Sequence, residues 1–335
     1  MVAENKRIAW IDLAKGFCIL LVVINHVAIA MQIGSSLELQ AGSFKMPLYF
    51  ILSGLFFKQY ENFGGFLKRK TNKLFIPFLF FFVVTSVLPE AIVKHQSALT
   101  VAMQTRYIPH NNGIWFLLCL FEMNVVFYLV HLLAKAVSQR WSTAIVLAVS
   151  ALLGALGLCL ASNRILLPFY LDTAMTALPF FAFGYWLFRH TGFMSAPLHW
   201  LRDGLLLVVC VLIVWYMALP FIWIENRFPF EVSPVVAWPL NIYLCGFAGT
   251  MMVLLISKLL KRLPLVSFWG RYSIIILCTN QVVIFVVNHF LSRWFSGTRL
   301  LLVLLAVTLL ICHLLILFMR KYMPHVTAQK DVIRI

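Results

Sequence analysis

Apolar residues run along this chain in long unbroken blocks separated by short polar stretches, with no strict alternation. Blocks can be drawn at about 8–31, 44–57, 74–93, 114–134, 142–162, 166–188, 204–224, 235–257, 265–290 and 299–319. Each reads as a helix, because about 20 apolar residues cross the hydrocarbon layer in that form. No ten-residue alternating segments point to a barrel. The second block is short and contains Pro47, so a break there or an extension at its ends is expected. Gly270, Arg271 and Ser273 near the start of the ninth predict a lead-in outside the membrane. The pattern predicts an all-α, polytopic membrane protein with about ten transmembrane helices. It reads as one membrane domain over 1–335, with a short polar tail after about 320.

Composition supports this. Of 335 residues, 62% are hydrophobic and 11% charged, and mean hydropathy is +0.94; a soluble domain could not cover that apolar surface with so few charges. The net charge of +16 would suggest nucleic acid in a soluble protein. Here the basic residues sit mostly in short loops, where orientation and anionic headgroups account for them, so no nucleic-acid partner is expected. With the N-terminus in the cytoplasm, that side holds Lys6, Arg7, Lys58, the group Lys68, Arg69, Lys70 and Lys73, then Lys135, Arg140, Arg189, Arg202, Lys258, Lys261, Arg262, Arg320, Lys321, Lys330 and Arg334. The far side holds only Lys45, Lys94, Arg106, Arg164, Arg227, Arg293 and Arg299. The positive-inside rule therefore places both termini in the cytoplasm. Trp10, Trp115, Trp141, Trp223 and Trp294 fall near block ends, as interfacial anchors do. The seven cysteines lie within apolar blocks and read as small buried hydrophobes. Ala28-Ile29-Ala30 has the look of a cleavage site, but the block before it is too long and too interrupted for a signal peptide.

That first block, RIAWIDLAKGFCILLVVINHVAIAM, carries Asp12, Lys15 and His26. At about 100° per residue the three share one narrow helix face, with His26 roughly 21 Å beyond Asp12 along the axis. Lipid penalises such a face by at least about 2.5 kcal/mol per charge, so it should turn toward protein or water. The plain reading is an ion pair one turn apart and a hydrogen-bonded core histidine. The pair and the shared face favour a functional site.

Other blocks add polar groups. The stretch FLKRKTNKLFIP, Phe66 to Pro77, brings Arg69, Lys70 and Lys73 together on a short helix. It reads equally as a positive-inside cluster and as a cradle for phosphates. Glu122 lies about 10 Å into the fourth block, counted from Trp115; it is open to polarising a histidine, binding a hydroxyl, or pairing with Arg271 or Lys15. Asp172, Thr173 and Thr176 mark one end of the sixth block. The ninth is unusually polar, with Ser273, Thr279, Asn280, Gln281, Asn288 and His289. Each alone reads as interhelical glue; together they predict a hydrated cavity. His131, His190, His199, His313 and His325 lack metal-site spacing, and there is no H-E-x-x-H, C-x-x-C, G-x-S-x-G or Walker loop. No metal is expected.

These residues resemble the acyltransferase-3 family of integral-membrane acyltransferases. Lys15 and His26 have that family's spacing of a basic residue, ten residues and a histidine, inside a W-I-D-x-x-K-G opening from Trp10 to Gly16. Phe44, Met46, Pro47, Leu48, Tyr49, Phe50, Ser53 and Gly54 resemble its second-helix motif. Lys70, Lys73 and Pro77 stand for a basic pair ahead of a proline. Further likenesses are Trp115-Phe116-Leu117, Asp172 to Gly184, and Gly270 to Asn280. Two positions depart: lysines replace both arginines of the basic pair, which loses bidentate geometry, and Asn280 stands where relatives often have histidine.

The resemblance implies an acyltransferase in the cytoplasmic membrane that uses acyl-CoA, acetyl-CoA foremost. The implied acceptor is a hydroxyl of a sugar, glycolipid or cell-envelope glycan precursor. It implies catalytic roles for His26 and Glu122, acyl-CoA contacts for Lys15, Arg69, Lys70 and Lys73, and acceptor contacts for Asp12, Trp115, Asp172 and Asn280. An unperturbed imidazole titrates at about pH 6.5, so His26 is suited to general-base work; its own acylation in a relay is the alternative. A glycan or lipid exporter with the same polar cavity is the rival class.

Overall fold

The computed structural model of the chain describes residues 8–32, 36–60, 62–104, 113–163, 165–217 and 237–334. Lys6, Arg7, Arg106, Arg164, Arg227 and Trp223, weighed above for orientation, lie outside them.

Twelve helical elements follow in order: α1 (Ala9–Ala30), α2 (Ser36–Leu55), α3 (Phe63–Lys94), α4 (Ala98–Gln104), α5 (Trp115–Val137), α6 (Ser142–Ser162), α7 (Leu171–His190), α8 (Trp200–Met217), α9 (Ala237–Leu260), α10 (Pro264–Arg271), α11 (Ser273–Leu291) and α12 (Gly297–Tyr322). Among the described residues there is no strand. Eight of the helices are long and apolar enough to cross a membrane: α1, α3, α5, α6, α8, α9, α11 and α12. Helices α2 and α7 have 20 residues each and lie deep in the bundle. The protein is an all-α, multi-pass membrane protein.

Three expected boundaries moved. The second block begins at Ser36 and continues through Pro47 without a break. The third absorbs the basic stretch, so Arg69, Lys70 and Lys73 ride on α3 itself. The ninth divides at Tyr272 into α10 and α11, where the glycine and polar residues weaken a continuous span.

Helix α3 contains Pro77 and Pro89 and still does not break. A proline lacks an N–H and its ring crowds the carbonyl four residues back. Just ahead of each proline the helix widens into a π turn, Thr71–Phe75 and Val83–Val87. There the N–H of Ile76 bonds Thr71 O, and that of Leu88 bonds Val83 O, five residues back. The wider turn relieves the crowding.

The helices approach one another through small residues, as expected where lipid leaves no hydrophobic drive between them. A Cβ on Gly54 of α2 would stand 2.1 Å from Phe181 O of α7, and one on Gly184 of α7 would stand 2.0 Å from Ile51 O of α2. Gly157 of α6 meets the backbone of Thr176 in the same way. Helix α1 sits among α2, α9, α10, α11 and α12, which sets its polar residues inside protein.

Three expectations change. Lys45, assigned above to the far-side surface, is 3% exposed, because α2 extends past it and carries it into the bundle. Trp115 is buried against Tyr170, with ring centroids 5.4 Å apart, and is not an interfacial anchor. All seven cysteines are free, and six are buried, but Cys159 is exposed on α6, a peripheral helix that also shows Leu152 and Leu156 outward.

Candidate functional site

His26 stands four residues before the end of α1 and is half-buried. Both of its ring nitrogens are met from α11. Nδ1 is 2.6 Å from Oδ1 of Asn280, and Nε2 is 3.2 Å from Nε2 of Gln281. Asn280 is fully buried, and its amide nitrogen donates to the carbonyls of Ile276, at 2.7 Å, and Leu277, at 2.9 Å. That orientation leaves only the amide oxygen facing the imidazole. Nδ1 must therefore carry the proton and donate it to Asn280. Nε2 keeps its lone pair and accepts from the Gln281 amide. This is the tautomer a general base needs.

The ring is enclosed on another edge by Gly113, where a Cβ would stand 3.6 Å from His26 Cε1 and 3.4 Å from Leu277 O. Gly113 has φ +66°, a left-handed turn suited to glycine, and it leads the chain into α5. Next to His26, Asn25 is buried and accepts a hydrogen bond from the Lys45 ammonium. The Lys45 carbonyl accepts from the Cys18 thiol at 2.7 Å. Asn25 and Lys45 carry polarity into this end of the bundle, a role the hydrophobic pattern did not disclose.

Two turns along α11 from Gln281, a cavity of about 330 Å³ opens between the ends of α1, α11 and α12. Met31, Asn288, Ser292, Ser296 and Leu300 line it. The Asn288 amide oxygen is buried with no hydrogen-bond partner among the described residues. Gln281, Asn288 and Ser292 share one face of α11 at seven- and four-residue intervals.

The remaining sequence-predicted residues fall into separate groups. Asp12 and Lys15 are half-buried near the start of α1. The Lys15 ammonium lies 4.4 Å from the centroid of the Phe56 ring, and its carbonyl accepts from the Tyr49 hydroxyl at 3.4 Å. Glu122, on α5, accepts from the N–H of Tyr170 at 3.2 Å, at the entry to α7. Asp172 is fully buried one residue into α7, and Trp115 packs on Tyr170 close by. The histidine's hydrogen-bonding partners thus come from α11, while Glu122 meets the start of α7.

On α3, Arg69 lies over the Tyr60 ring at 4.5 Å and Lys70 over Phe66 at 5.6 Å. Lys73 is taken up by the tail that follows α12: it pairs with Asp331 at 3.0 Å and donates to Ala328 O at 3.0 Å. Fully buried Asn72 clamps the same tail, accepting from the N–H groups of Val332 and Ile333 and donating to Ile333 O at 2.8 Å. Among the described residues no group of three His, Cys, Asp or Glu side chains could hold a metal ion.

A family model described as an acyltransferase domain matches residues 8–317, from the residue before α1 to the last turns of α12. No curated protein and no solved structure matches the chain.

Proposed function

The chain belongs to the acyltransferase-3 family, and from that premise we propose that it moves an acyl group, acetyl foremost, from cytoplasmic acyl-CoA to a hydroxyl of a sugar, glycolipid or cell-envelope glycan precursor. The observation that carries this reading is the contact between His26 Nδ1 and Asn280 Oδ1. With Asn280 turned by its own helix, Nε2 of His26 is the basic nitrogen, and the cavity at Asn288 and Ser292 opens two turns further along the same helix.

In this reading the acceptor hydroxyl donates to Nε2, loses its proton there, and its oxygen attacks the thioester carbonyl. As the C–S bond breaks, the proton passes from Nε2 to the departing sulfur. His26 returns to neutral, and Asn280 holds the ring throughout. The cavity at Asn288 and Ser292 takes the part of the acceptor remote from the reacting hydroxyl. Asn288's buried amide oxygen would accept from one of its other hydroxyls, where an unmet acceptor otherwise costs about 1–3 kcal/mol.

The donor approaches from the start of α1, with both termini and the basic end of α3 on the cytoplasmic side of the cell membrane. Lys15 lies about 16 Å before His26 along the helix, so an extended acyl-CoA arm would run between them while Arg69 and Lys70 meet its phosphates.

Purified protein supplied with acetyl-CoA and an extract of the native membrane as the source of acceptor tests the reading. Free CoA and an acetylated acceptor are expected from the wild type and neither from His26→Ala. An exporter would release no CoA. A hydroxylamine-sensitive acetyl group found on His26 after a quench would move the chemistry to a covalent relay.

A further inference from the structure

Gln281 does more than steady the imidazole. Asn280 already fixes the ring through Nδ1, yet Gln281 directs a second N–H at Nε2 from 3.2 Å, the one place where an acceptor hydroxyl must sit. An acceptor hydroxyl that binds Nε2 must displace this contact and leaves the Gln281 N–H beside the reacting centre. Resting on the acyl-transfer reading above, we infer that Gln281 is a catalytic residue whose side-chain N–H receives the thioester carbonyl oxygen as that oxygen becomes an oxyanion.

The distances allow it. A hydroxyl donating to Nε2 lies about 2.8 Å from it and displaces the carboxamide from the nitrogen. The attacking oxygen and the carbonyl oxygen are then bonded to the same tetrahedral carbon. With Gln281 Nε2 only 3.2 Å from His26 Nε2, the freed N–H comes within the 2.7–3.1 Å range (approximately) that an oxyanion donor needs. Gln281 follows fully buried Asn280 on α11, so one helix positions both side chains from adjacent residues. Acceptor binding moves this donor off the imidazole before the chemical step, so the N–H already points at the carbonyl oxygen when charge develops there.

The step balances in these atoms. The acceptor O–H bond breaks and its proton goes to His26 Nε2. The acceptor oxygen bonds the carbonyl carbon, and the C=O π pair moves to the oxygen, where Gln281 N–H holds it. That pair then returns to re-form C=O, the C–S pair leaves with sulfur, and sulfur takes the proton from Nε2. An ester and a free CoA thiol result, and Gln281 again donates to the neutral imidazole.

Gln281→Met is the informative variant, because methionine keeps the length of the side chain and removes the donor. It is assayed in vesicles of the native membrane, which carry the natural acceptor, by release of CoA thiol from titrated acetyl-CoA, with His26→Ala as the blank. The expected result is a fall in kcat of about 100-fold, with KM for acetyl-CoA changed less than about threefold. Gln281→Glu keeps the shape with an acceptor in place of the donor, and it should be equally slow. A kcat within about threefold of wild type in either variant would overturn the inference, since Gln281 would then only occupy the nitrogen at rest. Should Gln281→Met fail to accumulate, Gln281→Glu decides alone by the same split. If wild-type vesicles release no CoA above the blank, the acyl-transfer reading falls and this inference with it. If the wild type turns over and the variants do too, this inference falls alone.

Discussion

Gly16 of α1 and Gly270 of α10 hold their helices in backbone contact. A Cβ on Gly270 would stand 1.9 Å from Asp12 O and 2.5 Å from Gly16 N, and one on Gly16 would stand 2.1 Å from Val266 O. The obstacle in each case is backbone, which cannot swing aside as a side chain can. Gly16→Ala and Gly270→Ala should each destabilise the protein by about 1–3 kcal/mol or more. Thermal unfolding in detergent measures this, and a midpoint equal to wild type for both variants would refute the close approach. Gly42 and Gly204, where a Cβ meets nothing within 4 Å, serve as controls.

The tautomer argument makes a separate prediction for Asn280. Asn280→Leu preserves bulk but frees Nδ1, so the ring loses both its orientation and its fixed proton. Acyl transfer should fall by about 100-fold, with CoA thiol release as the measure. His26→Ala should abolish it and leave the unfolding midpoint near wild type. Retention of more than about a tenth of the rate in His26→Ala would end the case for a general base.

Asp12 and Lys15, one turn apart and half-buried near the start of α1, are expected to compensate each other's charge. Neutralising one should cost roughly 1–3 kcal/mol, because the other is left in a poorly solvated place. Asp12→Asn and Lys15→Met should therefore each melt below the double variant. Two fully stable single variants would contradict the pairing and direct attention to Lys15 as a donor contact.

The tail prediction concerns Asp331, whose carboxylate holds Lys73 at 3.0 Å. If acyl-CoA phosphates bind this end of α3, they compete with that carboxylate. Asp331→Asn should then lower KM for acetyl-CoA by about threefold to tenfold, and Lys70→Gln should raise it by about tenfold, within the range of one charge-assisted contact. Both effects should shrink as salt rises. Donor KM values that stay put in both variants would leave the basic end of α3 as an orienting and tail-binding surface only.

The all-α plan was legible because hydrocarbon demands long apolar segments and nothing else in a sequence mimics them. His26 stood out for the converse reason: an ionisable residue deep in such a segment is costly. Its pairing with Asn280 and Gln281 did not stand out. Asn280 drew notice only as an acceptor contact and Gln281 only as part of a polar block, because the 3.6-residue period says which face a residue occupies but never which helix it meets. Lys45 was misplaced because a charge near the start of an apolar block reads as a loop residue until the helix is seen to extend beyond it. The tail's grip on Asn72 runs mostly through backbone groups of Val332 and Ile333, which side-chain patterns cannot record.

Helix α3 reaches from the tail-binding residues Asn72 and Lys73 to Lys94 in one run, yet its two π turns divide it into three short rods joined by joints. A widened turn next to a proline bends more readily than the α-helix on either side. The first joint, Thr71–Phe75, contains both tail-binding residues, so a pull on the tail is taken up where it is applied. The tail's contacts therefore fall at the basic end of α3, two joints away from the segment packed against α4.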